Sequence, residues 1–175
     1  RRGDARPVLI GTAFSVMAAL LVVHGLATPF VLVGMNGVVS LTGAATLPVG
    51  GAILVLAAFP GVTSPHRIAR LLLLQAVLMA GVVGLGVLAL AVPSLVPPVP
   101  DPNSAPAIAL LVCGLVFYAV VGWRALRTVI LARRRADVLV VVGIGWLAAA
   151  LVPALTMDYT QLGWWLGPAF QVIGI

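Results

Sequence analysis

The chain has 175 residues, about the length of one domain. It contains ten Arg and four Asp, for a formal net charge of +6, while only 8% of its residues are charged and 62% are apolar. So few charged side chains cannot cover a soluble globule, and the high hydrophobicity excludes intrinsic disorder. The positive charge is also too sparse for a nucleic-acid-binding surface, so we expect no nucleic-acid partner.

Long apolar runs follow one another along the chain. A helix that crosses the hydrocarbon core needs about 20 mostly apolar residues. We therefore predict an all-α integral membrane protein, one domain over residues 1–175 built as a bundle of about six transmembrane helices, the sixth truncated. The predicted spans are residues 7–26, 38–59, 68–92, 106–123, 138–155 and, incomplete, 162–175. Pro48, in the middle of the second span, predicts a kink.

The arginines mark alternate connections between these spans. They occur before the first span, between the second and third, and between the fourth and fifth, whereas the other connections contain Asp101 and Asp158 instead. The positive-inside rule then places the N-terminus and the end of the sixth span in the cytoplasm. The proline-rich residues 93–102 are expected to form an extended outer loop.

The arginine-rich connection allows two interpretations. Residues 124–137 could form a short interfacial helix with its arginines facing water and its apolar side chains facing lipid. Arg133, Arg134 and Arg135 would then lie beside anionic lipid. A docking site for a cytoplasmic partner is the alternative.

No Asp, Glu, Lys or Arg occurs in the middle of a predicted span, and His24 is the one histidine within a span. Counted from Pro7, it lies about 26 Å along the helix, near the outer interface. It is either an interfacial histidine hydrogen-bonded to a neighbouring helix or water, or a pH-sensing or ligand-contacting group. The other histidine, His66, is predicted on the opposite side, so we expect no metal or other cofactor. Without charged residues in mid-span, an ion-coupled transporter is disfavoured.

Other polar and aromatic residues share the predicted leaflet of His24. Trp164 and Trp165 open the sixth span, where two tryptophans form either an aromatic belt or the wall of a pocket for a small or lipophilic ligand. We group these side chains as a candidate sensory patch. Its members are His24, Thr28, Asn36, Asp158, Tyr159, Trp164 and Trp165.

The remaining polar and small residues predict packing and no catalysis. Gly81, Gly84 and Gly86 have helical spacing that allows close helix contact, and Cys113 is expected to be buried. Catalytic, phosphate-binding and metal-binding motifs are absent from the sequence, so we expect no enzymatic activity in this segment. Four side chains are expected to form hydrogen bonds between helices: Ser40, Thr42, Thr46 and Gln75.

Two stretches resemble a known group of proteins. These are His24-Gly25-Leu26-Ala27-Thr28-Pro29 and Gln161-Leu162-Gly163-Trp164-Trp165-Leu166-Gly167. Together they resemble the N-terminal multi-spanning sensor region of bacterial signalling proteins whose cytoplasmic output domain is an HD-type phosphohydrolase of the cyclic-dinucleotide class or a nucleotide cyclase. In that family a His often follows the second stretch, where this chain has Pro168. This departure weakens any pairing of histidines between the first and sixth spans.

The resemblance implies a membrane input module in the bacterial cytoplasmic membrane. Its partners would be the lipid bilayer and a cytoplasmic output domain that follows residue 175 in the same chain, while a homodimer stays an open alternative. Two other functions remain open. One is a small multi-spanning transporter or permease subunit for a lipophilic substrate, and the other is a membrane scaffold or assembly partner. A soluble catalytic domain following the sixth span would favour the sensor.

Overall fold

The computed structural model describes residues 6–34, 36–58, 65–92, 96, 101–133, 135–158 and 160–174. The predicted all-α class is confirmed for this part of the chain. A short 3-10 helix, Leu162–Trp165, precedes the last α-helix. The α-helices are α1 Arg6–Ala27, α2 Val38–Ala58, α3 Pro65–Ala91, α4 Ala105–Ala132, α5 Arg135–Thr156 and α6 Leu166–Gly174.

Five of these helices, α1 to α5, are long and apolar enough to cross a membrane, by length and composition. The ends of α1, α2, α3 and α5 lie close to those of the predicted spans. α2 is one continuous helix through Pro48. Proline has no N–H to donate to the carbonyl four residues earlier, so the carbonyl of Ala44 lacks its usual helical donor. The number of membrane crossings, their orientation and the kink stay predictions, and most of the proline-rich loop lies outside the described residues.

The fourth helix differs from the prediction. The sequence predicts a span that ends at Trp123 and a separate interfacial helix after it, but α4 continues to Ala132. Alanine, leucine and arginine all favour helix, so charge alone does not end it. Arg133 ends α4 in a left-handed conformation (φ 52°), with its N–H donated to the carbonyl of Val129, and α5 begins at Arg135.

The chain divides into two compact units, Arg1–Val99 and Pro100–Ile175. In the first unit, α1 packs against both α2 and α3. Buried Val23, Ala27 and Val38 form a core where α1 meets α2. Gly86 lets α3 approach α1 closely, because a Cβ there would lie 2.5 Å from Cγ2 of Val23. Gly81 and Gly84 have no described side chain or backbone so near, so of the predicted trio only Gly86 makes close contact.

In the second unit, α5 packs against α4 and α6. Gly114 of α4 lies beneath Leu151, and the rings of Trp146 and Phe170 are 4.9 Å apart between α5 and α6. Cys113 is exposed on α4, so the prediction of a buried thiol is wrong. The thiol occupies a helix face that none of the described residues covers.

The predicted inter-helix hydrogen bonds are present only in part. Gln75 of α3 reaches α1, where its Nε2 donates to Oγ of Ser15 (3.3 Å) and its Oε1 lies 3.2 Å from Oγ1 of Thr12. Thr42 and Thr46 instead donate to carbonyls of their own helix, at Val38 and Thr42 respectively, each over 2.7 Å. A threonine in a helix finds this acceptor locally, one turn back, and so needs no neighbouring helix.

Candidate functional site

His24 joins α1 to α2. It lies in the last turn of α1, partly buried, and its Nδ1 is 2.7 Å from the carbonyl oxygen of Val39 in the first turn of α2. A carbonyl can only accept, so Nδ1 must carry the proton in this bond. In the neutral ring, Nε2 is then the atom with a free lone pair, able to accept a hydrogen bond or a proton.

A glycine makes room for this imidazole. A Cβ at Gly43 of α2 would lie 3.1 Å from both Cε1 and Nδ1 of His24. Such a distance is tighter than ordinary van der Waals contact, so the ring fits here because Gly43 has no side chain. Sequence reasoning missed both Gly43 and Val39. One of 19 glycines carries little signal by itself, and a backbone acceptor leaves none.

Asn36 connects the same two helix ends. Its Nδ2 donates to the carbonyl of Ala27, the last residue of α1, over 2.8 Å, and to that of Gly34 over 2.7 Å. Its Oδ1 accepts from the backbone N–H groups of Val38 (2.9 Å) and Val39 (3.3 Å), so it caps the start of α2. Every hydrogen-bonding group of this side chain is thereby used inside the hairpin.

Thr28 belongs to the same arrangement, because its Oγ1 donates to the carbonyl of His24 over 3.1 Å. We call His24, Thr28 and Asn36 the His24 cluster. Two of its members spend their polar atoms on holding the end of α1 and the start of α2. In His24, one ring nitrogen, Nδ1, is bonded to α2, and the other, Nε2, is available for a further hydrogen bond.

The loop beside the His24 cluster presents apolar side chains outward. Phe30 is 90% exposed, and Val31 and Leu32 are also exposed. Phe30 adopts a left-handed conformation (φ 69°) and its N–H donates to the carbonyl of Val33 over 2.9 Å. An isolated β-bridge between Pro29 and Val33 closes the loop. The tip is therefore a compact turn with internal backbone hydrogen bonds and an apolar surface.

The other predicted patch residues belong to the second unit. Asp158 is exposed just after α5, and its backbone carbonyl accepts from the N–H of Gln161 over 2.9 Å. Trp164 and Trp165 lie in the 3-10 helix, and the side chain of Trp165 is exposed. Tyr159 lies outside the described residues. The predicted patch thus divides between the two units, and its assembly into one site stays a prediction.

Asn103 is a residue that sequence reasoning missed. Its Nδ2 donates to the carbonyl of Thr156, the last residue of α5, over 2.9 Å, and its backbone N–H donates to that of Leu155 over 3.3 Å. Its φ of 63° is left-handed, a conformation that asparagine adopts more readily than most residues. The next residue, Ser104, caps α4 by accepting from the N–H of Ala107. An Asn-Ser pair before a proline-initiated helix was the available signal.

The described residues include no group of three His, Cys, Asp or Glu side chains that could hold a metal ion. The polar atoms of Thr28 and Asn36 are bonded within the hairpin, so the His24 cluster offers Nε2 of the imidazole as a hydrogen-bond acceptor while Nδ1–H stays bonded to α2. No family model matches the chain, and neither curated proteins nor solved structures gave a match.

Proposed function

We propose that this chain is a membrane-embedded sensory domain of a bacterial signal-transduction protein. It would pass an unidentified signal to a cytoplasmic output domain that follows residue 175 in the same chain, an HD-type phosphohydrolase or a nucleotide cyclase. The observation that carries the proposal is the His24 joint, in which one ring nitrogen is bonded to α2 over 2.7 Å and the other remains available for a signal.

A sensor must couple ligand binding to a change in helix arrangement. A ligand shifts a conformational equilibrium only when it binds the two arrangements with different affinity. Any group that binds Nε2 of His24 acts on a ring already bonded to α2 and packed on Gly43. Rotation of the ring therefore changes the bond between the helices, which is a route from a bound ligand to the position of α2.

The placement of charge also supports a sensor over an ion-coupled transporter. The described arginines lie within the first six residues of a helix, within the last nine, or just after its end, and the middle of each apolar helix has no Asp, Glu, Lys or Arg. Ion- and proton-coupled transport usually requires titratable groups at that depth.

Substitutions at His24 can separate its bond to α2 from its role in signalling. His24→Asn offers an amide N–H near the position of Nδ1, which can preserve the bond to Val39, but it removes Nε2. We expect H24N to accumulate in the membrane like the parent and to lose the response of the output domain in the full-length protein. His24→Ala, which removes both groups, should lose the response and also lower the stability of the α1–α2 hairpin.

The acidic member of the patch has a matched control. Asp158→Ala in the otherwise unchanged chain should weaken the response, whereas Asp101→Ala, at another exposed aspartate outside the patch, should not. The readout is phosphohydrolase or cyclase activity, normalised to protein in the membrane fraction. A normal response from the double variant H24N and D158A would overturn the proposal.

The proposed orientation has its own test. After replacement of Cys113 by serine, single cysteines are introduced at Leu32 in the α1–α2 loop and at Leu131 near the end of α4. Both positions are exposed, so burial in the fold does not decide their labelling. In intact cells, a membrane-impermeant maleimide should label L32C and leave L131C unlabelled. The reverse pattern would contradict a cytoplasmic N-terminus.

A further inference from the structure

One face of α4 carries a continuous line of exposed apolar side chains. Val112, Val116, Trp123 and Ile130 are each exposed and are separated by four or seven residues, which is one or two helical turns. None of the described residues covers this line. It runs along α4 toward the arginine-rich turn, where the polarity of the surface changes.

Arginines stand at that end of the apolar line. The guanidinium carbon of Arg127 lies 5.4 Å from the centre of the Trp123 ring, within the range of a cation–π contact. Arg124 is exposed beside it, and Arg133 and Arg135 are exposed at the turn into α5. The acidic side chain of this region is Asp137, in the first turn of α5, so the described charges sum to about 4 − 1 = +3.

The surface around these arginines also exposes an apolar side chain. Leu131 is 85% exposed, and on a helical projection it falls between Arg124 and Arg127. Exposed leucine flanked by arginine is typical of the boundary between acyl chains and headgroups. α4 has 28 residues and is about 42 Å long, which exceeds the hydrocarbon core of about 30 Å. Its last turns therefore reach the headgroup region.

We propose that α4 binds one anionic phospholipid, with the headgroup phosphate between Arg124 and Arg127 and one acyl chain along Val112, Val116 and Trp123. Arginine pairs with phosphate through charge-assisted hydrogen bonds, and the contact with Trp123 orients one of the two guanidinium groups. This site is independent of the sensory role of His24, because its residues all belong to α4.

Native mass spectrometry of the purified chain in a neutral detergent tests the site. We expect one molecule of phosphatidylglycerol to be retained per chain, and phosphatidylcholine to be lost under the same conditions. The double variant R124Q and R127Q should bind phosphatidylglycerol at least about thirtyfold more weakly, since it loses two charge-assisted contacts.

The matched control removes the same charge elsewhere. Along the helix axis, Arg133 lies about 9 Å beyond Arg127 and about 13.5 Å beyond Arg124, so both separations exceed the Debye length of about 8 Å at 0.15 M salt. The double variant R133Q and R135Q should therefore weaken binding by about threefold or less. Equal weakening by both pairs would mean a diffuse electrostatic field and would overturn the site, as would equal retention of phosphatidylcholine.

Two further measurements complete the test. Inorganic phosphate at millimolar concentration should not displace the lipid; displacement would mean a site for soluble phosphate and would overturn the lipid assignment. Brominated phosphatidylglycerol should quench the parent protein more strongly than W123F, because the acyl chain passes Trp123. Equal quenching would contradict the proposed path, and this comparison needs no arginine variant to fold.

Discussion

Asn36 in the first unit and Asn103 in the second do related work at the ends of two helices. Each donates its side-chain amide to the last carbonyl of a helix, Asn36 to Ala27 over 2.8 Å and Asn103 to Thr156 over 2.9 Å. They differ at the start of the next helix. Asn36 also caps α2 through its Oδ1, whereas in the second unit Ser104 caps α4.

The difference shows two ways of fixing a helix connection. The first unit concentrates helix termination, helix capping and the setting of His24 in one short segment, where a single side chain serves two helices. The second unit spreads the work over two residues, so the loss of either leaves the other in place. We therefore expect the first arrangement, which also holds the imidazole of His24, to be more sensitive to mutation.

The largest expected effect follows from this concentration. Asn36→Ala removes two donated and two accepted hydrogen bonds. It should lower the free energy of unfolding by about 2–3 kcal/mol, because α2 loses its cap and a carbonyl at the end of α1 loses its donor. Asn103→Ala, which leaves the Ser104 cap intact, should cost about 1 kcal/mol. Denaturant titration of the purified variants in detergent measures both. Equal losses would remove the distinction between the two units.

Replacing a glycine that packs against a neighbouring side chain should give the next largest loss of stability. Gly86→Ala would bring a Cβ within 2.5 Å of Val23, whose branched side chain has little freedom to move, so we expect a loss of about 1–3 kcal/mol. Gly114→Ala in the second unit meets only the flexible end of Leu151, at 2.9 Å, and should lose less.

Gly84→Ala is the control for this pair, because it has open space and lies in the same helix as Gly86. It should be neutral or slightly stabilising, since alanine favours helix over glycine. Thermal unfolding followed by circular dichroism ranks the three variants. A loss at Gly84 as large as that at Gly86 would show that the effect does not come from contact with α1.

The smallest effect should differ in sign between the units. Gln75 bonds α3 to α1, so Gln75→Met should cost about 0.6 kcal/mol, the usual size for such bonds in membranes. In the second unit, Nε2 of Gln171 is buried with no hydrogen-bond partner among the described residues. Gln171→Met should therefore be neutral or stabilising by a few tenths of a kcal/mol. Destabilisation by Q171M would show that its amide has a partner in the membrane-embedded protein.

The fold class was accessible from the sequence because hydropathy summed over about 20 residues is a strong signal. The end of α4 was not accessible in this way. The arginines after Trp123 indicate where a membrane would end, but they do not end the helix, because arginine itself favours helical conformation. The end of a predicted membrane span and the end of a helix can therefore fall at different residues. In α4 they are Trp123 and Ala132.

For the candidate site, the sequence indicated which residues to consider but not which atoms they contact. His24 stands out because ionisable groups are rare in apolar spans. Its ring is bonded to the carbonyl of Val39 and packs on Gly43. Neither contact depends on a side chain that could be recognised in the sequence. The threonines of α2 show the same limit, since the sequence does not reveal whether a hydroxyl bonds to its own helix or to another. Which backbone carbonyl accepts a given hydrogen bond is known only once the positions of the helices are known.

The apolar turn between α1 and α2 also bears on how the chain enters a membrane. Residues 28–36 contain no ionisable side chain, and within the turn the N–H groups of Phe30 and Val31 are bonded to local carbonyls. Carrying this turn through a bilayer dehydrates no charge, whereas carrying the turn between α4 and α5 would dehydrate several arginines. Moving the α1–α2 turn across a bilayer tip first therefore costs less free energy than moving the α4–α5 turn.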